Sequence, residues 1–191
     1  MSRIPPLDFK ELDANQLAAL KAAEEKMGFI ANDALVMARD PAMMQAFSDL
    51  VGAVYKPGLI DDGFKRLIGL ITSAGAGCQY CMAHTAHTSK LYGIEAKRRE
   101  AVWQFEESPL FNDKERVALR VAFAAGQTPN EVDDAMYATL SAQFTIAEQL
   151  EIVAVISLFG FLNRWNSTLA TTVEAVPAAS LDELPALPVR G

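Results

Sequence analysis

Apolar residues recur every three or four positions over long stretches of this chain, and they nowhere alternate one by one for a useful length. The first pattern is that of helices and the second that of strands, so the expected fold class is all-α. Asn15 to Lys26 is built mainly from Ala, Leu, Glu and Lys, which lose little freedom in a helix. A short helix is expected over Asp33 to Ala38. Asp40-Pro41 then supplies an N-cap and a proline at the first helical position for a helix running through Tyr55. After the break at Lys56-Pro57-Gly58, Asp61 caps a helix whose Phe64, Leu67, Ile68 and Ile71 share one face. Gly75-Ala76-Gly77 interrupts it, and a further helix runs to a stop at Gly93.

Helices are next expected over Ile94 to Phe105 and Asn112 to Ala125, with Ser108-Pro109 between them. Thr128-Pro129-Asn130 starts another, to about Ala142. The last long helix runs from Thr145 to about Thr171, and Thr145 with Glu148 makes a capping-box pattern. Its middle, Ile152 to Leu162, is apolar nearly all round, which suits a core or a subunit interface. From Val176 on, the Pro- and Ala-rich chain reads as extended. The expected organisation is an N-terminal segment over 1–14, one helical domain over 15–173 and a tail over 174–191.

Composition narrows the function. With 191 residues and 51% apolar content the chain can bury one sizeable core. A net charge of −7 leaves no basic stripe for phosphates, which argues against nucleic acid. The first residues contain no apolar run of signal-peptide length, and Ile152 to Leu162 is about half a membrane span. A cytoplasmic location is the expectation. In that compartment a lone C-x-x-C is more often a working dithiol than a staple.

Both cysteines and both histidines fall in the run Cys78-Gln79-Tyr80-Cys81-Met82-Ala83-His84-Thr85-Ala86-His87. Thiolate chemistry and proton transfer near neutral pH are thus gathered at one place. Zinc is opposed by the spacing: on one helix Cys78 and His87 face opposite sides, about 13 Å apart along the axis. Covalent haem needs histidine directly after the second cysteine, where Met82 stands, and a thioredoxin-type site needs a βαβ context. No metal or cofactor is implied. A redox dithiol fits better, because Cβ atoms at i and i+3 on a helix lie close to disulfide range. A helix restarting near Gly77 would favour thiolate at Cys78 or Cys81. His84 follows one turn after Cys81 on the same side, where it can carry the thiol proton, and His87 lies further round. The alternative is two small buried residues beside ordinary histidines.

Around this run, Tyr80 can donate to a bound oxygen or pack. Met27, Met37, Met43 and Met44 read as core, and Lys97-Arg98-Arg99-Glu100 as a solvated face. Asn163, Arg164, Trp165 and Asn166 either line the thiol pocket or cap the buried end of the last helix.

The segment Gly77 to Thr85, the helix before it from Phe64 to Ala74, and Glu151 to Asn166 together resemble the carboxymuconolactone decarboxylase superfamily, most of all its alkyl hydroperoxidase D (AhpD-like, peroxidase-related) branch. The resemblance implies an AhpD-like helical fold assembled as a homotrimer or homohexamer. It further implies reduction of small organic hydroperoxides, in antioxidant defence, by the dithiol with a histidine proton relay. Carried over by position, Cys81 attacks the peroxide and Cys78 resolves it, with His84 as the relay. An external dithiol, a lipoyl group or a small redox protein, then resets the pair. The family's relay histidine stands one residue further on, where this chain has Thr85, and its relay glutamate falls on Arg66. Aligning 66–72 with 151–157 offers Glu151 as a substitute acid. A cofactor-free decarboxylase and a non-catalytic thiol sensor remain the alternative functions.

Overall fold

In the computed structural model, which describes residues 2–186, the described residues form helices and turns, with no strand. The α-helices are α1 (Ala14–Met27), α2 (Asn32–Met37), α3 (Pro41–Val54), α4 (Asp62–Ala76), α5 (Gln79–Leu91), α6 (Ala96–Glu100), α7 (Asp113–Gly126), α8 (Asp134–Gln143), α9 (Ile146–Leu169) and α10 (Ala175–Asp182). The caps read from sequence are in place. Asp40 accepts from the N–H groups of Ala42 and Met43, Asp61 from that of Phe64, and Thr145 with Glu148 closes a capping box.

The centre of the fold is α4, with Leu67, Ile68, Leu70 and Ile71 fully buried among α5, α7 and α9. A smaller core of Leu20, Leu35, Met37 and Met44 joins α1, α2 and α3, with Leu162 and Trp165 of α9 packed against it. Met37 and Met44 are therefore core, as expected, whereas Met43 is exposed. Lys65 of α4 is fully buried, and its Nζ lies 3.0 Å from the Glu151 carboxylate of α9. Glu151 also accepts from the N–H groups of Leu59 (2.8 Å) and Ile60 (3.1 Å). A buried ammonium is tolerable when paired in this way.

Three stretches differ from the pattern-based expectation. Ile94 to Phe105 is no single helix: it divides into α6 and a 3-10 turn at Val102–Gln104. Arg99, read as part of a solvated face, turns inward, with one guanidinium nitrogen 3.1 Å from Glu183. The helix expected from Pro129 starts at α8, where Asp133 accepts from Met136 N–H. Finally, the tail is not extended over 175–182; it forms α10 and packs along α5. The part of the expected tail at 187–191 lies outside the described residues.

The axes of α4 and α7 come so close that backbone meets backbone. A Cβ on Gly75 would collide with the Phe123 carbonyl, and one on Gly126 with the Thr72 carbonyl. Neither obstacle is a flexible side chain that can swing away. Gly75→Ala and Gly126→Ala should therefore each destabilise the protein by about 1–3 kcal/mol. Gly52→Ala in α3, where nothing lies within 4 Å, should be neutral or stabilise by up to about 1 kcal/mol. Thermal melts of the three variants check the contrast.

Candidate functional site

The thiols owe their position to a turn. Gly77 ends α4 with φ of +69°, a conformation that costs a side chain energy. The N–H groups of Gly77 and Cys78 fold back onto the carbonyls of Ala74 and Ser73. Cys78 is thereby set at the N-cap of α5, with Cys81 on the first turn and His84 on the second.

Both thiols are free and buried. The Cys78 sulfur accepts hydrogen bonds from the Cys81 thiol, from the backbone N–H groups of Cys81 and Tyr80, and from Ser167, and these outweigh burial. Its pKa is brought down to about 6. Cys81 is pushed the other way. It donates to Cys78, it is buried, and the negative charges of Cys78 and Asp33 oppose its ionisation. The pair therefore holds one proton, with the charge resting on the N-cap sulfur.

Cys81 lines a pocket of about 260 Å³ together with Tyr80, His84, Asp33, Tyr55 and Arg66, closed elsewhere by Thr85, Thr88 and apolar side chains. Cys78 is not among its lining residues. Asn166 of α9 reaches in, its amide 3.2 Å from Asp33 Oδ2 and 3.7 Å from Cys81 Sγ. Of the four polar residues flagged at the end of that helix, Asn166 touches the site. Arg164 is exposed, and Asn163 is buried without a hydrogen-bond partner among the described residues.

Sequence reasoning missed the acid. Glu174, at the N-cap of α10, lies with Oε2 2.7 Å from His84 Nε2 and accepts from the Tyr80 hydroxyl at 2.9 Å and from Asn32 N–H. Burial pushes its carboxyl up, but the His84 contact and the Asn32 N–H hold it below the usual range. Tyr80 is thus engaged with Glu174 and stacks on the His84 ring at 4.2 Å, while Phe29 meets that ring edge-on. Glu151, the acid suggested by the internal alignment, is held by Lys65, Leu59 and Ile60 instead. The signal for Glu174 was present: Pro177 sits in the first turn of a helix it tolerates, and a capping position precedes it.

His87 points away from the pocket. Its Nε2 meets the Met27 carbonyl at 2.8 Å and its Nδ1 meets Ser180 at 3.1 Å, which ties α5 to α1 and α10. Of the expected site residues, Cys78, Cys81 and His84 are brought together and His87 is not.

Comparison with known proteins bears on the family and the fold. The carboxymuconolactone decarboxylase family matches residues 41–123. The uncharacterized protein YnjA of Escherichia coli (strain K12) is 34% identical over 126 residues, a stretch of 66% of either chain, just short of two thirds. The debrominase Bmp8 is 31% identical with a TM-score of 0.87, covering 94% of this chain and 96% of its own. A cysteine-to-alanine variant of Bmp8 has been solved in complex with 2,3,4-tribromopyrrole. An AhpD-core peroxidase-related protein from Ralstonia eutropha JMP134 shares the fold, with a TM-score of 0.79 at 23% identity, covering 93% of this chain and 94% of its own.

Two titrations follow. Thiolate absorbance near 240 nm should report a single thiolate per chain with a midpoint about 6, and blocking of Cys78 should remove it. Glu174 has a folded pKa below its unfolded value. Its contribution to stability is therefore present above the ordinary carboxyl range and is lost as pH falls through the lowered folded value. Glu174→Gln should flatten that acid limb in melts taken from pH 7 down to pH 3.

Proposed function

We propose, on the premise that the chain belongs to the carboxymuconolactone decarboxylase superfamily and to its AhpD-like branch, that it reduces small organic hydroperoxides with the Cys78–Cys81 dithiol. The observation that carries this reading is a pocket thiol, Cys81, hydrogen-bonded to an N-cap thiolate, Cys78, with the His84–Glu174 pair beside it.

The chemistry balances as follows. Cys78 S⁻ takes the proton of Cys81 across their hydrogen bond, and the Cys81 thiolate attacks the distal peroxide oxygen. The O–O bond breaks, and the alkoxide takes a proton from the His84 imidazolium, leaving as alcohol. Cys81 is now a sulfenic acid. The Cys78 sulfur attacks it, a disulfide forms, and the hydroxyl departs as water with the Cys78 proton. An external dithiol, a lipoyl group or a small redox protein, returns both thiols. Glu174 positions the His84 ring and stabilises its charged form, the role the missing glutamate at position 66 would otherwise fill.

The 31% identity to Bmp8 over nearly its whole length favours a second reading, reductive debromination of a small heteroaromatic. There the Cys81 thiolate would take bromine from carbon, the carbanion would take the His84 proton, and Cys78 would expel bromide as the disulfide forms, its own proton passing to the now neutral His84. Bromide release without peroxide turnover would select it.

Assembly is part of the proposal. One face of α9 buries Ile152, Val155 and Phe159, and the other exposes Ile146, Leu150, Val153 and Phe161 at spacings of three to eight residues. Such a stripe suits a homotrimer or homohexamer. A reducing, cytoplasmic setting suits the dithiol.

Kinetics of the variants test the roles. Cys81→Ser should abolish peroxide consumption, since a serine hydroxyl is a far poorer nucleophile. Cys78→Ser, which also removes the base for Cys81, should slow the attack but still leave a sulfenic acid trappable at Cys81. His84→Ala should slow attack by roughly 10²–10⁴-fold. His87→Ala should lower the melting temperature more than it lowers the rate. A sulfenic acid trapped at Cys78 in the Cys81→Ser protein would reverse the two cysteine roles.

A further inference from the structure

Arg66 is held in an unusual way. Its guanidinium carbon lies 3.4 Å from the centroid of the Tyr55 ring and 4.2 Å from that of Tyr92, so the cation is sandwiched between two aromatic faces. Among the described residues no carboxylate lies within ion-pair distance of it. Its Nε is buried without a hydrogen-bond partner, and so is the hydroxyl of Tyr55 beside it. Aromatic faces stabilise a cation but accept none of its N–H bonds in the plane of the fork. Both side chains are half-buried, and a guanidinium N–H and a phenol hydroxyl shut off from water side by side are costly unless something else pairs with them.

Both residues line the thiol pocket. They also line the larger cleft of about 810 Å³ that runs between α1, α3 and the end of α5. Arg66 and Tyr55 therefore stand at the junction of the two spaces. The thiol end of the pocket carries the opposite sign, because Asp33 lies there with the Cys78–Cys81 pair and its negative charge. Between the ends the walls are apolar, with Phe47, Val51, Leu158 and Phe159 among them. A ligand with an anionic group is driven in one orientation by this polarity: the anion toward Arg66, the uncharged end toward Cys81. Burial raises the Tyr55 pKa against the lowering effect of Arg66, so the phenol stays a donor.

We infer that Arg66 and Tyr55 form a carboxylate-binding subsite, and that the substrate is a small apolar molecule with one carboxylate remote from its reacting end. The inference names the substrate class for the reaction proposed above and rests on that reading for what happens at Cys81. The subsite itself stands on the unpaired donors and the pocket they share.

Binding separates the two claims. Calorimetric titration of the reduced protein with 4-phenylbutyrate and with 4-phenyl-1-butanol compares a carboxylate with a matched neutral head. The carboxylate should bind roughly 10- to 100-fold more tightly, the range of one or two charge-assisted bonds. Arg66→Gln should collapse that ratio toward one, Arg66→Lys should recover part of it, and Tyr55→Phe should reduce it a few-fold. In turnover, the ratio of kcat/KM for the para-carboxylate of cumene hydroperoxide to that for cumene hydroperoxide should fall in parallel, mostly through KM. Equal binding of the two heads by the wild type, no binding of either, or a ratio untouched by Arg66→Gln overturns the subsite. Circular dichroism of Arg66→Lys guards against loss of fold as the cause. If the Arg66-dependent preference holds but neither peroxide is consumed, the subsite stands and the peroxidase reading falls.

Discussion

One carboxylate organises this site. Glu174 takes hydrogen bonds from His84, Tyr80 and the N-terminus of α2 at the same time, and each of those bonds fixes something the proposed chemistry would use. The His84 bond sets the ring's orientation and places a carboxylate against it. The Tyr80 bond locks the phenol flat against that ring. The Asn32 bond brings α2, and with it Asp33, to the pocket wall beside Cys81. A buried carboxylate with several donors is held charged, and a charged group that is fully bonded has little freedom to move. Losing α10 would free all three partners together.

The second constraint is backbone geometry. Positive φ at Gly77 lets α4 end and α5 begin with almost no intervening loop. The first N–H groups of α5 are left without intrahelical partners, and the N-cap sulfur is what meets them. The helix N-terminus, the neighbouring S–H and Ser167 supply the stabilisation of the Cys78 thiolate.

Much of this fold was legible in the chain because its caps are strong and local. Asp40-Pro41, Asp61 and the Thr145–Glu148 box each act within four residues, so the sequence carries them directly. The dithiol and His84 were legible for the same reason, lying within two turns at the start of a single helix. What escaped was whatever depends on distant segments. Glu174 is 90 residues from His84, and its helix is too short, and too evenly apolar, for periodicity to declare it. Arg99 looks solvated within Lys97-Arg98-Arg99-Glu100 until Glu183 folds over it. Glu151 looked free for proton transfer until Lys65, buried in the neighbouring helix, claimed it. The divided stretch at 94–105 shows the converse: local propensity there favours one helix, and packing against α4 wins.

The separation of the two sulfurs has a kinetic logic. A thiolate stabilised by helix N–H groups is abundant near neutral pH but is a weaker nucleophile, since reactivity falls with falling pKa by about threefold for each unit. A thiol whose ionisation is opposed is rarely charged but attacks hard once it loses its proton. Here the first kind of sulfur is Cys78, set back from the pocket, and the second is Cys81, facing it. A direct hydrogen bond joins them, so one proton shift converts the stable arrangement into the reactive one without any proton leaving the site. The shift is uphill while the pocket holds only weak dipoles. In the proposed reaction it becomes easier once an electrophilic oxygen or bromine sits against Cys81, because charge is then drawn onward into the breaking bond, where His84 would neutralise it. In the proposed reaction the arrangement keeps the reactive thiolate scarce until a substrate is in place, and the proton parked on Cys78 passes to the departing hydroxyl as the Cys78 sulfur attacks, so that water leaves.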